Sequence, residues 1–226
     1  MSVRAAAVLP AGGAGRRMGG AYKPFLEVAG EPLLLHALRP FLTFSEIEWV
    51  VVALPAGIAA APPTWLRELD PRITLVAGGA ERGDSVANAL AVVPQEADAI
   101  LVHDAARPLV SRALVQQALL AATSGQCAIA AIPVTDTIKE VDDDARIVAT
   151  PDRHRLRAAQ TPQVFPRAVL LDAYERAARD GWVATDDAAL VARTGQSVTI
   201  FPGEPENIKI TSPADLDVAV ALLRRR

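Results

Sequence analysis

Short apolar runs alternate with helical patterns along most of the chain. Residues 5–9, 49–54, 73–76, 100–102 and 128–132 are apolar runs of strand length. Several lack the apolar/polar alternation of a half-exposed sheet, which predicts strands buried on both faces. Helical patterns fall between them at residues 32–42, 84–93 and 111–123. In the last, Leu114, Val115, Ala118, Leu119 and Ala122 share one face, Ser111 is placed to cap and Gly125 to stop the helix. This order predicts an α/β fold, a three-layer Rossmann-like arrangement around a mostly parallel sheet. Such sheets take ligands at the carboxyl ends of their strands.

From residue 133 to 163 the texture changes. Segments 137–141 and 146–150 flank Asp142-Asp143-Asp144, a hairpin signal with a solvated tip, predicted to project from the sheet as an arm. A helix at 166–179, stopped near Gly181, a strand at 198–201 and a final helix follow. Ser212-Pro213-Ala214-Asp215 opens that helix with a cap, a first-turn proline and a capping-box acid. The expectation is a single domain over residues 1–226 with its arm at approximately 133–163.

Composition narrows the function. Hydrophobic residues make up 51% of the 226 positions but aromatics only 4%, so Ala, Val and Leu must build the core. Lys and Arg total 23 against 26 Asp and Glu, a net charge of −3 that offers no general attraction for nucleic acid or a membrane surface. The single cysteine, Cys127, excludes an internal disulfide framework and reads as a buried thiol. The most apolar stretch, 49–63, is broken by Pro55 and Gly57 and falls short of the roughly 18 residues of a membrane span. Residues 5–9 are too short for a signal-peptide core of roughly 7–15 residues. The chain therefore reads as soluble and cytoplasmic.

The chemistry is concentrated in Leu9-Pro-Ala-Gly-Gly-Ala-Gly-Arg-Arg-Met18, directly after the first strand. Glycines there let backbone N–H groups approach phosphate oxygens. The dinucleotide pattern fails because Met18 stands where its third glycine belongs, and the P-loop pattern fails at Ala21-Tyr22. Arg16, Arg17 and then Lys23 put cations beside this loop, as a triphosphate requires.

With the downstream Lys23-Pro-Phe-Leu, this segment resembles the N-terminal signature of the sugar-nucleotidyltransferase superfamily. Five further segments resemble the 2-C-methyl-D-erythritol 4-phosphate cytidylyltransferase family: Gly78-Gly-Ala-Glu-Arg-Gly-Asp-Ser85, Val102-His-Asp-Ala-Ala-Arg-Pro108, Pro133-Val-Thr-Asp-Thr-Ile-Lys139, Gln160-Thr-Pro-Gln-Val-Phe165 and Asn207-Ile-Lys-Ile-Thr211. The resemblance runs from Ala7 to Ala219.

The resemblance implies an enzyme that transfers CMP from CTP to methylerythritol phosphate, releasing pyrophosphate, in non-mevalonate isoprenoid precursor synthesis. It implies that CTP lies over Ala11, Gly12, Gly13 and Gly15, with Ser85, Gly79 and Ala80 holding cytosine and ribose. Position 80 often carries an acid in similar sequences, so contact from Ala80 is main-chain. Arg17 and Lys23 are the expected catalytic cations. Asp104, ending the run 100–104, is expected to bind the nucleotide's Mg²⁺, which prefers one or two carboxylates plus phosphates. Arg107 either meets a phosphate or anchors its loop. Thr137, Arg153, Thr161, Thr185 and Lys209 are the implied acceptor ligands. Thr185 reads equally as a helix cap, and Lys209, between Ile208 and Ile210, points to solvent or to the pocket. His36 and His103 read as structural. Because Thr137 and Arg153 lie on or beside the arm, a homodimer in which they serve the neighbouring subunit is expected. Ribitol 5-phosphate is the alternative acceptor, and a non-catalytic nucleotide-binding protein the alternative class.

Overall fold

The structure is a computed structural model, and the residues it describes are 2–12 and 22–225. In chain order they form β1 (Ala5–Pro10), β2 (Glu27–Val28), β3 (Glu31–Pro32), α1 (Leu33–Leu42), β4 (Ile47–Leu54), α2 (Ala56–Ala60), α3 (Thr64–Arg67), β5 (Ile73–Ala77), α4 (Arg82–Leu90), β6 (Ala99–Val102) and α5 (Arg112–Thr123). Then come β7 (Cys127–Pro133), β8 (Glu140–Val141), β9 (Ile147–Ala149), β10 (Arg157–Pro166), α6 (Arg167–Asp180), α7 (Asp187–Arg193), β11 (Val198–Pro202) and α8 (Pro213–Leu223).

Among the described residues, seven strands form one sheet in the order β11-β7-β10-β6-β1-β4-β5. β1 pairs in parallel with β4 and β6, β4 with β5, and β7 with β11. β10 runs antiparallel between β6 and β7. The chain leaves β1 toward β4 and β5, then returns to place β6 on the other flank of β1. The carboxyl ends of β1 and β6 therefore frame the crevice where ligands bind in such sheets.

Two apolar layers follow from the period of two along each strand. Ala5, Ala7 and Leu9 pack with Leu34, Leu38 and Phe41 of α1 and with Leu114, Val115 and Ala118 of α5. Ala6 and Val8 face Val86, Ala89 and Leu90 of α4, Leu170 and Ala173 of α6, and Leu190 and Val191 of α7. Both faces of β1 are buried, as the unbroken apolar run predicts. The three-layer, mostly parallel α/β fold is the observed one. Cys127 is buried, and among the described residues no helix is long and apolar enough to cross a membrane.

Two differences from the sequence expectation have physical causes. Helix α4 begins two residues earlier than residue 84 because the Asp84 carboxylate caps its start, accepting the Glu81 N–H at 3.0 Å. Segment 160–165, read only as a motif, lies inside the strand β10 at the middle of the sheet. The projecting stretch is correspondingly shorter, because residues 157–163 belong to the central sheet. Within the arm, β8 and β9 pair with each other, and Asp142 closes their turn by accepting the Arg146 N–H at 2.8 Å.

Helix α8 stops the segment that carries Lys209. Asp215 accepts the Thr211 N–H at 2.7 Å, the Thr211 hydroxyl at 2.8 Å and the Ser212 N–H at 2.8 Å. The Ser212 hydroxyl accepts the Asp215 N–H in return, at 3.3 Å. The bonds from Thr211 hold the Asp215 carboxyl down at about 2. Because this lies below the unfolded value of about 3.9, the cap's contribution is complete above pH ~4. It is lost as pH falls through the folded value of about 2. Asp215→Asn is expected to cost about 1 kcal/mol, roughly 2–4 °C in Tm, at neutral pH. Thermal melts of wild type and variant should converge near pH 2.

Candidate active site

The loops after β1 and β5 meet first. Ala11 N–H donates to Ala53 O at 2.7 Å, and Gly78 N–H to Leu54 O at 2.6 Å. Ser85, 2% exposed, stands between these loops. Its Oγ accepts the Gly79 N–H and donates to Glu81 O, both at 3.1 Å. A Cβ on Gly12 would lie 3.0 Å from that oxygen, and one on Gly78 only 2.8 Å. Glycine is what lets the two backbones approach. Ala80 is exposed beside them. Lys23 opens a 3₁₀ turn, Lys23–Phe25, closed by Leu26 N–H to Lys23 O at 3.1 Å. Gly13, Gly15 and Arg17 lie outside the described residues.

A pocket opens at the carboxyl end of β6, lined by Asp104, Arg107, Thr161, Thr185 and Lys209 together with Arg82, Gln160 and Gln163. Sequence reasoning named the first five and missed the other three. Asp104 Oδ1 accepts from Arg82 Nε at 2.8 Å, and its Oδ2 faces Lys209 Nζ at 2.8 Å. Arg82 Nη2 also donates to Asp187 Oδ2 at 2.7 Å, and the Tyr174 hydroxyl donates to Asp187 Oδ1 at 2.5 Å. Burial disfavours the Asp104 charge, but Arg82 and Lys209 outweigh it and hold the carboxyl well below the usual range. Burial likewise opposes the Arg82 charge, and Asp187 and Asp104 reverse that effect. Burial and then Asp187 push the Tyr174 phenol upward, so it stays a donor.

His103 and Thr161 fix the loop that carries Asp104. His103 Nε2 lies 3.2 Å from Arg107 O, and its Nδ1 lies 2.9 Å from Thr161 Oγ1. A carbonyl only accepts, so Nε2 carries the proton and the bare Nδ1 accepts from the Thr161 hydroxyl. Burial depresses the His103 pKa to about 4, consistent with a neutral ring. Thr161 Oγ1 also accepts the Asp104 N–H at 3.0 Å. Its proton is thus committed, and it has one lone pair left and no proton to offer a phosphate oxygen.

The rest of the Gln160-Thr-Pro-Gln163 motif works the same way. Gln160 Nε2 donates to Glu204 O at 2.9 Å while its Oε1 accepts the Glu204 N–H at 3.1 Å. Gln163 Nε2 reaches Asp186 at 2.8 Å and its Oε1 accepts the Ala188 N–H at 3.1 Å. The pairing of β10 with β7 shifts register between Ala159 and Gln163, which frees these side chains to bind neighbouring segments.

The remaining alternatives resolve individually. Arg107 anchors its loop, donating to Asn207 O at 2.7 Å and Ala159 O at 3.3 Å, and also lines the pocket. Burial lowers its pKa from the ordinary arginine value. The cap of α7 is Asp186, which accepts the Ala189 N–H at 3.0 Å, so Thr185 is an exposed rim residue and not the cap. Lys209 turns to the pocket while Ile210 is buried under α8. Thr137 and Arg153 are exposed on the arm stretch and do not line this pocket; Arg153 donates to Thr135 O at 2.9 Å. His36 lies 2.8 Å from Val28 O, a structural contact.

Among the described residues, no group of three or more His, Cys, Asp or Glu side chains is placed to hold a metal ion. The Asp104 carboxylate, sharing Oδ2 with a partly exposed lysine, fits a hard cation that arrives with phosphate ligands and needs one or two carboxylates.

A mostly parallel sheet with a glycine loop after its first strand and a charged pocket at the carboxyl end of β6 defines a nucleotide-handling α/β enzyme, and the relatives are nucleotidyltransferases. The chain belongs to the 2-C-methyl-D-erythritol 4-phosphate cytidylyltransferase family, whose sequence profile matches residues 5–225. It is 43% identical over 225 residues to the enzyme of that name from Symbiobacterium thermophilum, covering 99% of this chain and 94% of that one. The crystal structure of 4-diphosphocytidyl-2C-methyl-D-erythritol synthase from Anaerococcus prevotii superposes with a TM-score of 0.88 at 28% identity, covering 100% of both chains. The 2-C-methyl-D-erythritol 4-phosphate cytidylyltransferase of Thermus thermophilus superposes at 0.82 with 38% identity, covering 99% of this chain and 100% of that one.

Replacing Thr161 tests the buried frame. Thr161→Val strands His103 Nδ1 and the Asp104 N–H, and should cost about 1–3 kcal/mol in chemical denaturation, whereas Thr161→Ser, which keeps the hydroxyl, should cost less.

Proposed function

We propose that the chain transfers CMP from CTP to 2-C-methyl-D-erythritol 4-phosphate and releases pyrophosphate, in non-mevalonate isoprenoid precursor synthesis. The observation that carries this reading is the pocket itself: Asp104, Arg107, Thr185 and Lys209 converge at the carboxyl end of β6, beside the loops of Gly12 and Ser85. The full-length likeness to enzymes of that name supports the choice of substrates.

In the proposed reaction an oxygen of the acceptor phosphate forms a bond to the α-phosphorus of CTP. The bond from that phosphorus to the bridging oxygen breaks, and its electron pair leaves on pyrophosphate. A phosphate monoester with a second pKa of about 6 is already largely dianionic at neutral pH, so no general base is needed. The demand is for positioning and charge neutralisation. Gly12, Gly13 and Gly15 supply main-chain donors to the triphosphate from the loop that Ala11 anchors to Ala53, and Ser85, Gly79 and Ala80 hold the cytidine. Arg17 and Lys23 stabilise the charge that builds on the transferring phosphorus. Arg107, Thr185 and Lys209 bind the acceptor, with Thr161 holding the loop beneath it. Mg²⁺, when bound with CTP, would be held by Asp104 and phosphate oxygens and would neutralise the triphosphate.

The protein is further proposed to act as a cytoplasmic homodimer. Ile138, Val141, Ile147 and Val148 expose apolar surface on the arm, which supports a partner there that brings Thr137 and Arg153 to the second site. A fully active monomer in solution would refute that assignment.

Pyrophosphate release should be brisk with CTP and methylerythritol phosphate and weak with ribitol 5-phosphate; the reverse preference overturns the choice of acceptor. Arg17→Ala and Lys23→Ala should each lower kcat by about 10²–10³ with little change in Tm. Near-normal turnover in both would remove them from the reaction.

A further inference from the structure

Arg82 belongs to no motif role assigned above, yet it occupies the middle of the buried charge cluster. It is the first residue of α4, one turn before Ser85. Its guanidinium bridges Asp104, at 2.8 Å, and Asp187, at 2.7 Å. Asp187 is fully buried and opens α7, directly after Thr185 and Asp186. The nucleotide-side helix and the acceptor-side helix are therefore tied through one side chain.

The two cations on Asp104 are not equivalent. Arg82 is 25% exposed and held by two carboxylates, one of them also fixed by Tyr174. Lys209 is 41% exposed, and among the described residues its ion pair is with Asp104. A lysine is a flexible point charge, whereas an arginine fork held at both ends is preorganised. When an anion enters the pocket, Lys209 is the partner that can turn to it. A buried carboxylate abandoned by its only cation is strongly disfavoured. The second cation removes that obstacle.

We propose that Arg82 is a positioning residue that keeps Asp104 paired, so that Lys209 can leave the carboxylate for a phosphate oxygen. The inference rests on the proposed function for the identity of that phosphate, but the exchange itself depends only on an anion in the pocket. With Arg82, Lys209, Asp104 and Asp187 present, the cluster carries no net charge. Removing Arg82 and Asp187 together keeps it neutral and leaves Lys209 as the sole cation on Asp104.

The test compares wild type, Arg82→Gln/Asp187→Asn, Asp187→Asn and Arg82→Lys as full-length proteins. The chain contains three lysines, so Cε-labelled lysine NMR resolves the Lys209 signal. Inorganic phosphate is titrated in without CTP, and Tm and pyrophosphate-release kinetics are measured alongside. In wild type and in Asp187→Asn, phosphate should move the Lys209 signal. In the neutral double variant the signal should stay put, and kcat/KM for the acceptor should fall at least about tenfold even though Tm stays near wild type. Arg82→Lys should recover part of both. A folded double variant with turnover within about threefold of wild type and a normal Lys209 response would overturn the proposal. If the double variant does not fold, loss of the response in Asp187→Asn, where Arg82 still faces Asp104, would overturn it equally. Wild type that turns over while its Lys209 signal ignores phosphate defeats this inference alone. Wild type that shows the signal change but releases no pyrophosphate defeats the functional reading alone.

Discussion

The constraint on which the pocket depends is the cost of burying the Asp104 carboxylate. At 7% exposure it needs compensating cations, and the nearest in sequence, Arg107, spends its hydrogen bonds on carbonyls. The partners come instead from α4 and from the segment before α8. Once those two elements are drawn to the end of β6, the glycine loops and the rim of α7 have little freedom left. Charge pairing of this kind contributes little to net stability, because the attraction is largely offset by desolvation, whereas losing one partner would leave a buried charge uncompensated.

Strand β10 turns that arrangement into a rigid frame. It is antiparallel in a sheet that is otherwise parallel, and its middle residues spend their side chains on neighbours rather than on the core. Gln160 holds the chain at Glu204, Thr161 holds the backbone at Asp104, and Gln163 holds the start of α7. A Gln-Thr-Pro-Gln stretch thereby does for three loops what an apolar strand does for a core.

Much of the fold was legible because parallel strands buried on both faces read as unbroken apolar runs, as in β1 and β4. The caps at Ser111 and Ser212 were legible for a local reason: each acts within four residues of itself. β10 was not, since two prolines and two glutamines hide a strand whose polar groups are paired through tertiary contacts. Arg82 was missed because, beside Glu81 and Asp84, it has the look of a solvated charge. Its partners stand 22 and 105 residues away, and no local pattern announces them. Thr185 was ambiguous for the opposite reason, because Asp186 beside it offers the better cap.

The position of β10 also orders events on the ribosome. A nascent chain that has extruded β1, β4, β5 and β6 can begin the sheet, but the outer edge of β6 has no strand to cover it until residues 163–166 arrive. During that interval an unpaired edge is open to other chains, the situation in which chaperones are most useful. The pocket cannot be complete before residue 209 has emerged, so a chain terminated even a few residues short of that point lacks one of the two cations on Asp104.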